Sequence, residues 1–180
     1  MSIDPLVLFS IQFTFALVAY AVAARWYVWP RIEPLPVAVA LVPLVWVHVF
    51  RFVGGSILAP GSVGPGVPAE FREMIGYGDM VTAALALIAL IALRAKGNRA
   101  LWFVWVFVVV GLLDTTNAVV QSMRFNVFDD PLGVNWVIVT AYMPALFVSS
   151  YLIFVELLRA RRTPLSDRGR DMGSSVIACV

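Results

Sequence analysis

Five long runs of apolar residues, separated by short polar or proline-rich stretches, constrain this chain more than any other feature. They cover about residues 5–24, 35–58, 75–93, 101–121 and 134–158. A helix needs about 20 apolar residues to cross the hydrocarbon core of a bilayer. Hydrophobic residues make up 61% of the 180 residues and charged residues only 13%, whereas about a quarter of a soluble domain is charged. The sequence therefore predicts an all-α integral membrane bundle of five transmembrane helices.

The domain organisation is expected to be simple. We predict one five-span transmembrane domain over residues 1–162 and a disordered cytoplasmic tail over residues 163–180, which are polar and rich in small residues. Cys179 is the only cysteine. A single cysteine offers neither a disulfide framework nor a cysteine-based metal site within one chain.

Lysine and arginine are distributed unequally between the two sides of the predicted bundle. The first loop, the third loop and the C-terminal end carry Arg25, Arg31, Arg94, Lys96, Arg99, Arg159, Arg161 and Arg162. The second and fourth loops carry only Arg72 and Arg124. Since cytoplasmic loops are enriched in these residues, we expect the N-terminus outside and the C-terminus in the cytoplasm. The expected location is the bacterial cytoplasmic (inner) membrane, and because topology explains the basic residues, no nucleic-acid binding is predicted.

Four ionisable residues lie near the centres of the apolar runs: His48, Arg51, Asp79 and Asp114. With a rise of about 1.5 Å per residue, all four lie within about 7 Å of the midpoints of their spans, on the outer side. A charged side chain at the centre of a span costs about 3 kcal/mol if it faces lipid. We therefore expect these groups to point inward at one another, with Arg51 holding Asp79, Asp114 or both.

The charges of this cluster do not balance, because one arginine faces two aspartates. A proton on one carboxyl group, a protonated His48 or a bound cation would compensate the remaining negative charge. Such an imbalance is typical of a proton-active site. A buried arginine–aspartate pair that only locks helices together is the alternative, and the sequence leaves both open.

The main functional hypothesis is a buried ionisable pocket in the outer half of the bilayer that binds, or also transports, a small or amphipathic ligand. Asn117 and Gln121 extend the stripe from Asp114 along one helix face, at i+3 and i+7. The candidate ligand-binding residues are His48, Arg51, Asp79, Asp114, Asn117, Gln121, Tyr77, Gln12 and Tyr142. Membrane lipids are the other expected partners, and a homo-oligomer is compatible with the sequence.

Two alternatives come from other functional classes. The first is a membrane-embedded acid–base enzyme, isomerase- or cyclase-like, on a lipid or isoprenoid substrate, with Asp114, Asp79 and His48 as catalytic residues. The second is an accessory subunit with purely structural ion pairs. We predict no metal, because Arg51 opposes a cation beside His48, and no cofactor. The inner half contains no comparable polar cluster, which weakens transport because transport needs access from both sides.

Three segments, FRFVGGSIL, VPAEFREMIGYGDMVTAALAL and GLLDTTNAV, resemble a group of small uncharacterised bacterial polytopic membrane proteins. The shared pattern is a glycine-rich helix end, then P-x-x-F and G-x-G-D, and finally G-L-x-D, over about residues 48–120. The resemblance implies a multi-span membrane protein. It carries over no activity and no functional residue.

Overall fold

The computed structural model describes residues 3–97 and 99–162, and within them the regular structure is entirely helical. Five helices are long and apolar enough to cross a membrane: α1 (Pro5–Ile32), α2 (Val37–Leu58), α3 (Ala69–Arg94), α4 (Ala100–Arg124) and α5 (Asn135–Arg161). A short 3₁₀ turn, Val127–Asp129, lies between α4 and α5. The tail predicted at residues 163–180 lies outside the described residues.

The first helix continues well beyond the end predicted at residue 24. Proline has no N–H, and its ring crowds the carbonyl four residues earlier, so Pro30 favours an end to a regular helix. A π-helical turn, Ala24–Val28, precedes it, and the Trp29 N–H donates to the Ala24 carbonyl. This wider turn accommodates the proline, so α1 ends at Ile32 and only residues 33–36 connect it to α2.

The same arrangement recurs in α5, where the π-helical turn Ile138–Tyr142 comes just before Pro144. The Met143 N–H donates to the Ile138 carbonyl. Thr140 Oγ1 donates to the Trp136 carbonyl over 2.7 Å, which satisfies a further backbone acceptor in this turn. Both helices therefore carry their prolines through local widening of the helix rather than through an interruption.

The second helix changes its winding at the level of the predicted cluster. It is α-helical over Val37–Val49 and 3₁₀-helical over Phe50–Leu58. Stretches of 3₁₀ helix longer than three or four residues are uncommon and often mark functional or strained segments. Arg51 lies in the first turn of this 3₁₀ segment. α3 packs against both the α-helical and the 3₁₀ segment of α2.

α2 and α3 form the centre of the bundle. α2 packs against α3 and α5, α4 packs mainly against α3 and also contacts α5, and α1 packs against α5. The alanines spaced by three in α3 predict that this helix is the most buried. Ala83, Ala86 and Ala89 are indeed buried, at 6%, 0% and 0% exposure. The buried share of the apolar window is nevertheless larger in α2 than in α3, 39% against 33%.

The second and fourth connections close one end of the bundle together. The Gly64 N–H donates to the Pro131 carbonyl over 2.6 Å. A separate apolar cluster lies beneath them, formed by Ile57, Val67, Phe71, Val127, Phe128 and Leu132. α3 begins at Ala69, six residues before the start that the apolar run predicted at residue 75, so the EFRE stretch belongs to this helix. We call this the loop-covered end, and the opposite end the arginine-rich end.

The close packing at Ala86 gives a test of this helix arrangement. Ala86→Leu places a larger side chain at a position with 0% exposure. Overpacking of this kind costs about 1–3 kcal/mol. Ala84→Leu is the matched control, because Ala84 lies on the same helix and is exposed. Thermal unfolding in detergent should show destabilisation only for Ala86→Leu. Equal behaviour of the two variants would contradict the packing of α3.

Candidate functional site

One arginine holds two aspartates from two different helices. Arg51 Nε lies 2.5 Å from Asp79 Oδ1, and Arg51 Nη2 lies 2.5 Å from Asp114 Oδ2. Arg51 Nη1 also donates to the Gly111 carbonyl over 3.3 Å. The guanidinium group thereby links α2, α3 and α4. We call Arg51, Asp79 and Asp114 the charge cluster.

Glycines allow the helices to come close enough for these contacts. A Cβ atom at Gly54 would collide with the Asp79 carboxylate, and a Cβ atom at Gly78 would collide with the Asp114 carboxylate. Each carboxylate therefore lies directly on the backbone of a neighbouring helix. The first glycine of the G-G in FRFVGGSIL and the second glycine of the G-x-G-D in α3 therefore have a packing reason, since a larger residue at either position would move a carboxylate away from Arg51.

The charge cluster has unequal access to its surroundings. The Arg51 side chain is 3% exposed, whereas the side chains of Asp79 and Asp114 are 13% and 15% exposed. One guanidinium and two ionised carboxylates carry a net charge of −1. The two carboxylates are thus more accessible than the guanidinium. Their uncompensated negative charge favours binding of a proton or of a hydrogen-bond donor.

His48 is buried but faces a different helix. Its ring Nε2 lies 2.9 Å from Ser149 Oγ of α5, and its ring packs edge-on against Phe107 with centroids 5.0 Å apart. The i, i+3 spacing of His48 and Arg51 predicts that they share a face of α2. The imidazole is nevertheless bonded to Ser149 of α5, whereas the guanidinium is bonded to the carboxylates of α3 and α4. His48 Nδ1 has no hydrogen-bond partner among the described residues.

Two further candidates lie near the charge cluster along their helices. Tyr142 Oη donates to the carbonyl of Val47 over 2.5 Å, next to the point where α2 changes its winding. Asn117 Nδ2 contacts Met74 Sδ at 3.1 Å, which places Asn117 between α4 and α3, about one turn from Asp114. Both residues join neighbouring helices.

The other predicted residues are placed less centrally. Gln12 Oε1 accepts a hydrogen bond from Trp136 Nε1 over 2.7 Å, so Gln12 joins α1 to α5 and not to the charge cluster. Tyr77 is 60% exposed. Gln121 Oε1 is buried and has no partner in the part of the chain that the structure describes. Of the nine candidates, the structure brings Arg51, Asp79 and Asp114 into direct contact.

Glu156, near the arginine-rich end, is a buried ionisable residue that is not among the nine candidates from the sequence. Glu156 is 0% exposed. Its Oε2 lies 3.4 Å from Arg159 Nη1, and its Oε1 has no hydrogen-bond partner among residues 3–97 and 99–162. A seven-residue spacing, Tyr142–Ser149–Glu156, was the available signal, because it places all three on one face of α5.

Two other arrangements bear on possible ligands. A groove of about 650 Å³ lies between α1 and α5, lined mainly by apolar side chains with Arg25 at its edge, and it includes none of the nine candidate residues. Within residues 3–97 and 99–162, no group of three or more His, Cys, Asp or Glu residues is placed to hold a metal ion.

The close contact at Gly78 makes the charge cluster testable. Gly78→Ala is expected to push the Asp114 carboxylate away from Arg51 and to destabilise the fold by about 1–3 kcal/mol. This destabilisation is expected even though alanine has a higher helix propensity than glycine. In Gly55→Ala, the nearest atom is Cγ of the flexible Met80 side chain, at 3.3 Å from the new Cβ. Thermal unfolding should therefore separate the two variants. Unchanged stability of Gly78→Ala would contradict the described approach of α3 and α4.

Comparison with known proteins gives a family without an assigned activity. No curated protein and no solved structure matches the chain. A family model matches residues 8–158, which include all five helices for most of their length and the complete charge cluster. The chain belongs to the family described as Domain of unknown function (DUF8737).

Proposed function

We propose that this chain is a multi-pass protein of a bacterial cytoplasmic membrane, with its N-terminus outside and its C-terminus in the cytoplasm. Five helices of sufficient length and apolar character support the spanning arrangement. The excess of lysine and arginine at one end of the bundle supports the orientation. In this orientation the charge cluster lies in the outer half of the bilayer, below the loop-covered end.

Cysteine labelling tests this orientation. In intact cells, Cys179 should be protected from a membrane-impermeant maleimide, because the predicted C-terminus is cytoplasmic. Pro65→Cys in a Cys179→Ser background should be labelled, because Pro65 is an exposed residue of the loop-covered end. Permeabilised cells provide the control in which both cysteines react. Labelling of Cys179 in intact cells would contradict the orientation.

We further propose that the charge cluster is the polar end of a binding site for a small or amphipathic ligand. The observation that carries this proposal is the shared arginine: one guanidinium compensates only one of two carboxylates. Arg51 already donates to both aspartates and to the Gly111 carbonyl. The carboxylates, which are more exposed than Arg51, are therefore the groups that remain to receive a ligand.

The chemistry of the ligand follows from this imbalance. Carboxylate oxygens in an apolar bundle favour a cationic or strongly donating group, which adds charge-assisted hydrogen bonds. Neighbouring exposed side chains are apolar, including Met80 at 49% and Leu113 at 66% exposure. A long-chain amine fits both features, with its ammonium group on the carboxylates and its alkyl chain along the apolar surface.

Among the alternatives, the structural ion pair receives the more specific support. All three members of the charge cluster come from different helices, which is the arrangement that locks a bundle together. The acid–base enzyme remains a hypothesis for Asp79 and Asp114. His48 as their direct proton partner is less well supported, because its ring nitrogen contacts Ser149.

Binding of a long-chain amine to variants of the cluster separates these functions. We expect Asp114→Asn to weaken binding of dodecylamine by about tenfold or more, since it removes a charged acceptor. Native mass spectrometry of the chain with increasing dodecylamine concentrations measures the occupancy. Asp129→Asn makes the same chemical change at an exposed position and is the control.

The outcome decides between a ligand site and a structural lock. Loss of amine binding with a folded Asp114→Asn protein supports the binding site. Unchanged occupancy together with a lower unfolding temperature would contradict it and favour the structural ion pair. Mass spectrometry of molecules that co-purify after gentle solubilisation would then identify what, if anything, occupies the site in the cell.

A further inference from the structure

We propose that the groove between α1 and α5 binds an acyl chain of an anionic phospholipid, whose phosphate group is held by Arg25. This site is separate from the charge cluster. The proposal rests on the proposed membrane-spanning arrangement but not on binding of an amine, because a cation at Arg25 would meet a like charge. Binding of an anionic lipid and binding of an amine are separate measurements, so either proposal can fail while the other holds.

The groove lies in the half of the bundle that leads to the arginine-rich end. Gln12 of α1 contacts Trp136 of α5 near one end of the two helices, and the Glu33 carbonyl contacts Arg159 near the other. α1 and α5 therefore run in the same direction. The part of α1 that lines the groove, residues 17–29, belongs to the second half of this helix. In the proposed orientation, the groove therefore opens to the inner leaflet of the bilayer.

The dimensions of the groove fit a single acyl chain. Leu17 and Trp29 both line it, and the twelve steps between them correspond to about 18 Å of helix rise. One leaflet of the hydrocarbon core is about 15 Å thick, so a chain lying in the groove would extend through its leaflet. Ala21 and Ala24 contribute little side-chain volume on the α1 side, and Phe147 is among the apolar residues on the α5 side.

Arg25 gives this apolar groove a charged edge. Its side chain is exposed, and it makes no hydrogen bond or ion pair in the part of the chain that the structure describes. The next two residues, Trp26 and Tyr27, are 66% and 60% exposed. Exposed tryptophan and tyrosine are enriched where a membrane meets water. A guanidinium group at that level can donate two parallel hydrogen bonds to one phosphate group.

The charges around this edge favour an anionic lipid over a zwitterionic one. Arg31, Arg159 and Arg161 are further cations at the arginine-rich end, whereas Glu33 and the buried Glu156 are the nearby acidic residues of α1 and α5. The balance is therefore positive. Arginines at a membrane surface attract anionic headgroups. The phosphate of a zwitterionic lipid carries its own cation, which these arginines would oppose.

A helix of a second copy fits the groove less well than an acyl chain. A helix with its side chains is about 10–12 Å across, so about 18 Å of it occupies about 1,400–2,000 Å³. The groove holds about 650 Å³. Apolar surface of a second copy would also cover Arg25 and leave its charge without a partner, which is unfavourable. A phospholipid supplies a thin apolar chain and the partner for Arg25 in one molecule.

Native mass spectrometry of the full chain with added lipids tests the charged edge. Dioleoylphosphatidylglycerol and dioleoylphosphatidylcholine have the same acyl chains but differ in net charge. We expect the phosphatidylglycerol to bind at least about fivefold more tightly, which is the effect of one arginine on an anionic lipid. Arg25→Gln should remove most of this preference. Arg31→Gln is the matched control, because Arg31 is exposed on the same helix, lies outside the groove and donates to the Tyr27 carbonyl.

A second pair of variants tests the apolar part of the groove. Ala21→Phe places a ring in the groove and should weaken binding of both lipids at least about fivefold. Ala19→Phe makes the same change at an exposed position of α1 outside the groove and should leave binding unchanged. Ala21 is also exposed, so both variants are expected to fold, and thermal unfolding checks this.

Three results would overturn the proposal. The first is equal affinity of the unaltered chain for the two lipids. The second is unchanged lipid binding in folded Arg25→Gln and Ala21→Phe proteins. The third is a dimer in the mass spectrum that Ala21→Phe dissociates and Ala19→Phe does not, because a second copy would then occupy the groove.

Discussion

The charge cluster is the constraint on which the arrangement of α2, α3 and α4 depends. In an apolar bundle, a guanidinium or carboxylate that faces lipid costs about 3 kcal/mol, so the three charges stabilise the fold only together. Arg51 reaches both carboxylates because Gly54 and Gly78 place no side chain in the way. The 3₁₀ winding of α2 begins one residue before Arg51 and continues through Gly54. Charge, glycine spacing and local helix geometry are therefore parts of one arrangement.

The two π-helical turns allow α1 and α5 to contain a proline and remain continuous. Each turn precedes a proline by two residues, at Pro30 in α1 and at Pro144 in α5. A widened turn removes the conflict between the proline ring and the preceding carbonyl, so both helices remain continuous. α5 also carries Ser149 and Glu156. The turn at Ile138–Tyr142 therefore helps to set which face of α5 meets α2.

The buried polar groups of the bundle differ in how completely they are hydrogen-bonded. Each member of the charge cluster has a charged partner. His48 has one ring nitrogen, and Glu156 one carboxylate oxygen, without a partner among the described residues. Purely structural ion pairs would favour complete pairing, because unpaired buried atoms destabilise a fold. The half of the bundle that lacked a polar cluster in the sequence contains one of these groups.

The sequence alone determined the five long apolar helices, because their apolar runs have no other stable environment than lipid or a buried core. It also predicted that Arg51 would pair with Asp79, Asp114 or both, because the cost of unpaired charge leaves few other arrangements, and the structure shows contact with both. It did not determine the direction of His48 or the burial of Glu156. Those depend on the rotation of α2 and α5 about their axes and on the extent of each helix. The packing of helices against glycines and the π-helical turns before Pro30 and Pro144 contribute to the rotation and the extent of these helices. Only the tertiary structure shows these rotations and extents.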